Sequence, residues 1–223
     1  MRESVAQQLF PEGRLLLSEL THRVNNEFAS AINVVSVAAA RAHNGEVKVA
    51  LDAVTDCFQR HALVHHALQM PEYRTQVDAA AYLRRLCLSI SRATLDCKNI
   101  KLVLVDHPIS MQSDRCWQLG MIVYELITNA ARHAFDGRDG EIRVELFPSG
   151  SFVECRVSDN GSGPADFRPG RGLKIVEALV DGLDGRFEQR FGAQGSTTVV
   201  FFPACEYRPA TTKAARMPQD RQF

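Results

Sequence analysis

The 223-residue sequence predicts an α+β chain: an N-terminal helical hairpin that pairs into a dimeric four-helix bundle, followed by an α/β sandwich. Three observations predict it. Apolar residues recur at alternating steps of three and four through the first third of the chain. Pro71 interrupts that pattern, and beyond it helix-like and strand-like periods follow one another in unequal runs.

Leu17, Leu20, Val24, Phe28, Ala31, Val35 and Ala38 form the first stripe, and their spacing keeps them on one helix face. His43-Asn44-Gly45 breaks the helix, because Asn and Gly both tolerate the left-handed conformation that ends one. Val47, Leu51, Val54 and Phe58 restart the pattern. A lone two-helix hairpin leaves part of each stripe in water. Pairing two hairpins covers it, so residues 1–70 are expected to form a homodimer.

Proline cannot continue a helix interior, so Pro71 marks a boundary and a hinge. A second domain is expected over 77–203. Within it Asp78–Leu95 reads as a helix, Ile100–Val105 as a short strand, and Ser113–Phe135 as a long helix capped by Ser113. The cluster Asp136-Gly137-Arg138-Asp139-Gly140 is a turn leading into strands Glu141–Phe147 and Phe152–Ser158. A Gly-rich loop, a helix over Gly172–Leu183 and strands Gly185–Arg190 and Ser196–Phe202 complete one sheet with helices on a single face. Residues 204–223 are polar and patternless and are expected to be a disordered tail.

Lys+Arg and Asp+Glu both number 26, so the net charge is zero, and no segment concentrates base. That argues against nucleic acid as a main partner. The N-terminus lacks the basic-then-apolar layout of a signal peptide, and no apolar run approaches the roughly 20 residues that span a bilayer. Six scattered cysteines without a CxxC pair read as reduced thiols in a cytoplasmic protein.

Four constellations carry chemistry. Glu125, Asn129 and His133 are spaced four apart, so they project from one face of the long helix, with Arg132 beside them. A carboxylate, an amide oxygen and basic groups on one stripe suit a hydrated magnesium ion with attached phosphates. On that helix alone the same stripe also reads as a solvated polar face. Next, Asp159 opens Asp159-Asn160-Gly161-Ser162-Gly163 directly after a strand, where a carboxylate at a pocket mouth can accept from an exocyclic amine. By itself this is also an ordinary turn. Third, Gly170-Arg171-Gly172-Leu173 opens a helix, where glycines and unpaired N–H groups admit phosphate. Gly195-Ser196-Thr197 introduces the last strand, as any hairpin turn would.

The segments YELITNAARHAF, SDNGSG, GRGLKIV and QGSTTVVF together resemble the N box and glycine boxes of the histidine-kinase ATPase domain, of the fold shared with gyrase, Hsp90 and MutL. The resemblance runs from about Val77 to Pro203. It implies ATP and Mg2+ as cofactors, magnesium held by Asn129, a polarising or base role for Glu125, and phosphate contacts from Arg132 or His133. It also implies adenine recognition by Asp159, with Gly161, Gly163, Gly170, Gly172, Leu173, Ser196 and Thr197 around the nucleotide.

The fourth constellation is His22, in ELTHRVNNEF on the first helix. It lies two positions from both Leu20 and Val24, hence off the apolar stripe and in water. An exposed neutral imidazole is a competent phosphoryl acceptor near neutral pH, and Glu19 or Glu27 lies about one turn away. THRVNNEF resembles the acceptor box of HisKA_2 and HWE-type histidine kinases, with Asn25 where a lysine is usual and the HisKA_2 type the better fit. The resemblance implies autophosphorylation on His22 and transfer to an aspartate of a response regulator.

Two alternatives share the ATPase fold: a histidine phosphotransferase or pseudokinase, and an anti-sigma-type serine kinase. Intact Glu125, Asn129 and Asp159 speak against the first, and the long hairpin bearing HRVNN against the second. The chain leaves no room for a sensory domain ahead of Leu15, so either input is expected from a partner, or the chain is a fragment or a stand-alone soluble kinase. His61 and His65 are four apart, but without a third ligand they read as a polar helix face.

Overall fold

The computed structural model describes residues 3–69, 76–162, 171–192 and 194–204. The expected hinge at Pro71, the loop glycines Gly163 and Gly170, and all but the first residue of the expected tail lie outside the described residues.

Two long helices come first, α1 (Glu3–Arg41) and α2 (Gly45–Ala67). The break between them differs from the expected left-handed stop. Asn44 is extended (φ −89°) and caps α2, its side chain accepting from the Glu46 amide at 2.8 Å. Asn is a strong N-cap because its short side chain reaches the orphan amides of the first turn. The rings of Phe28 and Phe58 meet at 6.4 Å and those of Phe28 and His65 at 5.1 Å. The hairpin closes on a line through Phe28, Val35, Ala39, Leu51, Thr55 and Phe58, all buried or half-buried. Leu20, Val24, Val47, Val54 and Leu63 stand exposed, Leu20 and Leu63 at 57%. The apolar residues of the hairpin therefore divide between an inner seam and a bare outer face.

Then follow β1 (Gln76–Asp78), α3 (Ala79–Ile90), β2 (Ile100–Asp106), β3 (Ser110–Gln112) and α4 (Ser113–His133). The Asp78 side chain caps α3, accepting from the Ala80 amide at 3.0 Å. Where one helix to Leu95 was expected, α3 loosens into a π turn over Ser91–Leu95 and a 3-10 turn over Asp96–Lys98, ending at left-handed Asn99 (φ 53°). Ser113 is the first helical residue of α4 rather than its cap, and Gln112 in the cap position makes no side-chain cap bond. The two short strands β1 and β3 pair antiparallel, a pairing too brief to leave a period in the sequence.

The chain ends in β4 (Gly140–Ser149), β5 (Phe152–Asp159), α5 (Arg171–Gly182), β6 (Arg186–Gly192) and β7 (Gly195–Pro203). Among the described residues the large sheet has the order β2-β4-β5-β7-β6, with β2 parallel to β4 and the other pairs antiparallel. Its inward residues, such as Ile142, Val144, Cys155, Val200 and Phe202, pack on Leu83, Leu86, Leu119, Ile122, Val176 and Val180 of the three helices. The other face carries ion pairs, such as Lys101–Glu141 at 3.3 Å and Arg156–Glu154 at 2.8 Å. Pairs this open to solvent contribute at most about 1 kcal/mol each. Buried Arg115 ties the layers, donating to the carbonyls of Leu183 (3.1 Å) and Pro203 (2.8 Å).

The hairpin docks on this second unit. Val64 of α2 is buried within the main core cluster, Ala67 and Leu68 pack against it, and the Trp117 indole N–H donates to the Leu68 carbonyl at 2.9 Å.

Candidate functional site

Helix α4 positions the first group. Its buried side, through Ile122, Val123, Leu126 and Ile127, is fixed on the sheet, which leaves Glu125 and Asn129 half-buried and Arg132 and His133 exposed at the C-terminal end. Burial pushes the Glu125 carboxyl above the usual carboxylate range, and the Arg132 guanidinium partly offsets this. Opposite stands the first turn of α5. A Cβ added at Gly172 would sit 3.0 Å from both Glu125 Oε2 and Asn129 Nδ2, so a side chain there would crowd both groups. The chain thus brings Glu125, Asn129 and Gly172 together, with Leu173 buried just behind.

Asp159 stands at the end of β5. Its Oδ1 accepts from the amides of Gly161 (3.0 Å) and Ser196 (3.3 Å), and its Oδ2 from the Ser196 hydroxyl. Gly195 makes this possible: its φ of +121° suits glycine, and a Cβ there would collide with the Asp159 carbonyl. Along β7, Ser196 and buried Thr198 share a face while Thr197, paired with Ser158 and Arg190, points to the other. Of the two residues singled out on this strand, Ser196 meets Asp159 and Thr197 lies on the far side of the sheet.

Two side chains here were not singled out from the sequence. Thr198 accepts from Gln189 Nε2 at 3.0 Å, and Arg138 donates from its guanidinium to the Ser162 hydroxyl at 2.9 Å. Thr198 could have been found by strand alternation from Ser196. Arg138 sits in a run that reads only as a turn.

His22 is exposed on α1. Glu19, one of two carboxylates near it, is engaged by Arg23 at 3.0 Å. Phe28 faces Phe58 across the hairpin, and His22 precedes the end of α1 by as many residues as Val64 follows the start of α2. In antiparallel helices of equal rise, His22 therefore stands level with Val64, where the second unit docks.

The Histidine kinase-like ATPase domain family matches residues 78–201, and the HisKA_2 histidine kinase family matches 19–94. The chain belongs to the histidine kinases. The sensor histidine kinase PdtaS of Mycobacterium tuberculosis is 30% identical over 82% of this chain and 38% of its own length. The chain thus spans well under half the length of that relative. The serine-protein kinase RsbW of Listeria monocytogenes is 39% identical over only 28% of this chain. The histidine kinase domain of the Erythrobacter litoralis EL346 blue-light activated histidine kinase shares the fold, with a TM-score of 0.57 at 20% identity over 80% of this chain and 96% of that one. A histidine-kinase ATPase domain implies ATP binding. Among the described residues no group of three or more His, Cys, Asp or Glu could hold a metal ion, and no helix is long and apolar enough to cross a membrane.

Proposed function

We propose that this chain is a cytoplasmic, homodimeric catalytic core that phosphorylates itself on His22 with ATP and passes the phosphoryl group to an aspartate of a response regulator. Residues 1–70 form the dimerising and acceptor hairpin, and residues 77–203 the ATPase domain. The observation that carries this reading is the union in one chain of an exposed histidine, level with the domain docking point, and a pair of side chains, Glu125 and Asn129, set against the bare backbone of Gly172.

Asp159 is the acceptor for the adenine amine. Its carboxylate is already oriented by Gly161 and Ser196, so little ordering is needed when the base arrives. Asn129 would hold magnesium through its amide oxygen, with waters and phosphate oxygens completing the shell, as suits an ion that keeps much of its hydration. When bound, the ion neutralises phosphate charge. Arg132 and His133 stand at the same helix end for the phosphates, and Glu125 polarises or takes a proton from an attacking group. An imidazole nitrogen of His22 attacks the γ-phosphorus: a P–N bond forms, the P–O bond to the β-phosphate breaks, ADP leaves, and the ring's N–H proton passes to the Glu125 carboxylate or to water. Such transfer depends on positioning and electrostatics more than on covalent help from the protein.

Incubation with γ-labelled ATP and magnesium tests the reading. Label should appear on the chain, survive alkali and be lost in acid, as a phosphoramidate is. His22→Gln should lose it entirely while binding ATP as the parent does. Acid-stable label, or label persisting in His22→Gln, would move the chain to the serine-kinase branch of the fold.

A further inference from the structure

Asp159 does not hold its own position. Besides Ser196, its Oδ1 accepts from the amide of Gly161, and Gly161 lies so close to the end of α4 that a Cβ there would collide with the carbonyl of Ala134. That approach is secured one residue later. The Ser162 amide donates to the same Ala134 carbonyl at 2.8 Å, and its hydroxyl lies 3.4 Å from it. The hydroxyl is in turn taken by Arg138 at 2.9 Å. Arg138 is itself fixed, since its amide and its Nε both donate to the Phe135 carbonyl, at 2.8 and 3.2 Å. The turn that presents it uses left-handed Asp136 (φ 47°) and Gly137 (φ 78°), which folds the chain back beneath the end of α4.

We propose that Arg138 is a positioning residue for nucleotide binding, acting through Ser162 and Gly161 to lock the Asp159 loop against the C-terminal end of α4. This deepens the ATP-site reading above and rests on it. The physical reason is registration. Asp159 ends β5, whereas Asn129, Arg132 and His133 belong to α4, and the two halves of the site must keep a fixed distance if base and phosphates are to be held together. Between β5 and the end of α4, the Ala134 carbonyl accepts from both the amide and the hydroxyl of Ser162, and the Arg138 guanidinium holds that hydroxyl in place. Because Arg138 acts through the loop, its loss affects every adenine nucleotide alike. A guanidinium touching the phosphates would instead discriminate by phosphate number.

The test is equilibrium binding of ATP, ADP and AMP to the full chain and to Arg138→Ala, Ser162→Ala and the double variant, with thermal unfolding of each. Arg138→Ala should weaken all three nucleotides about three- to tenfold, the loss of the largely solvated hydrogen bond to Ser162, and leave the unfolding midpoint within a few degrees. The double variant should be no weaker than Arg138→Ala, because both changes open the same link. Arg138→Lys, which keeps one donor, should recover part of the affinity. Additive losses in the double variant, a loss graded from AMP to ATP, or unchanged affinity in Arg138→Ala overturns the proposal while the parent's binding leaves the ATP site standing. A parent that binds none of the three overturns the ATP-site reading and this proposal with it.

Discussion

In the role proposed for it, Glu125 would trade stability for chemistry. Its carboxyl is pushed up chiefly by burial, so the folded state holds that proton more tightly than the unfolded chain does. The resulting stabilisation is fully present below the ordinary carboxylate pKa and is lost as pH rises through the raised folded value. Once ionised, the carboxylate is therefore a mild burden on the fold, one that the proposed chemistry would explain. Glu125→Gln should match the parent in melting temperature at acid pH and exceed it at pH 7.5, while autophosphorylation falls about a hundredfold or more. Thermal melts across pH, with the labelling assay alongside, check both halves. A melting difference that does not change with pH would mean that Glu125 carries no unfavourable charge in the fold. The stripe holding Glu125, Asn129 and His133 was legible because a step of four is a property of the helix itself. Arg138 was not, since its meaning depends on a loop that folds back from two strands away.

At the scale of elements, period and punctuation carried most of the reading. The long helices and the longer strands announce themselves through their apolar spacing, whereas β1 and β3 are three residues each and exist because they pair with one another. The cap at α4 failed for a similar reason: Ser113 is buried, and the cap position falls to Gln112. The hairpin stripe was legible as a stripe but not as two. A sequence at alternating steps of three and four fits both the inner seam through Phe28 and Phe58 and the outer face through Leu20, Val24 and Val54. That division changes how the dimer should be probed. Phe28→Glu would open the hairpin itself, whereas Leu20→Glu with Val54→Glu places charge only on exposed positions. The pair should turn a dimer into a monomer in sedimentation at micromolar concentration and leave helix content unchanged. A monomeric parent would remove the bundle from the proposal.

The whole molecule depends on how the hairpin meets the ATPase unit. Val64 is 4% exposed and sits among core side chains, and Trp117, the one tryptophan in the sequence, donates to Leu68 at the last turn of α2. The two units therefore share apolar burial at the level of His22. The indole that bridges them also reports on the contact through its emission. Val64→Asp would set a carboxylate among apolar groups with no cation supplied for it, a cost of several kcal/mol that undocking relieves by returning the charge to water. The Trp117 emission should shift to the red as the indole loses Leu68 and meets solvent. Helix content and ATP affinity should hold, because Asp159 and Asn129 lie on elements packed by their own core. Autophosphorylation should slow, since the γ-phosphate would then reach His22 from an untethered domain and the gain from holding the reactants together is lost. Unchanged emission would mean that Val64 does not govern docking. Changed emission with an unchanged phosphorylation rate would mean that this contact is not the arrangement from which His22 is phosphorylated.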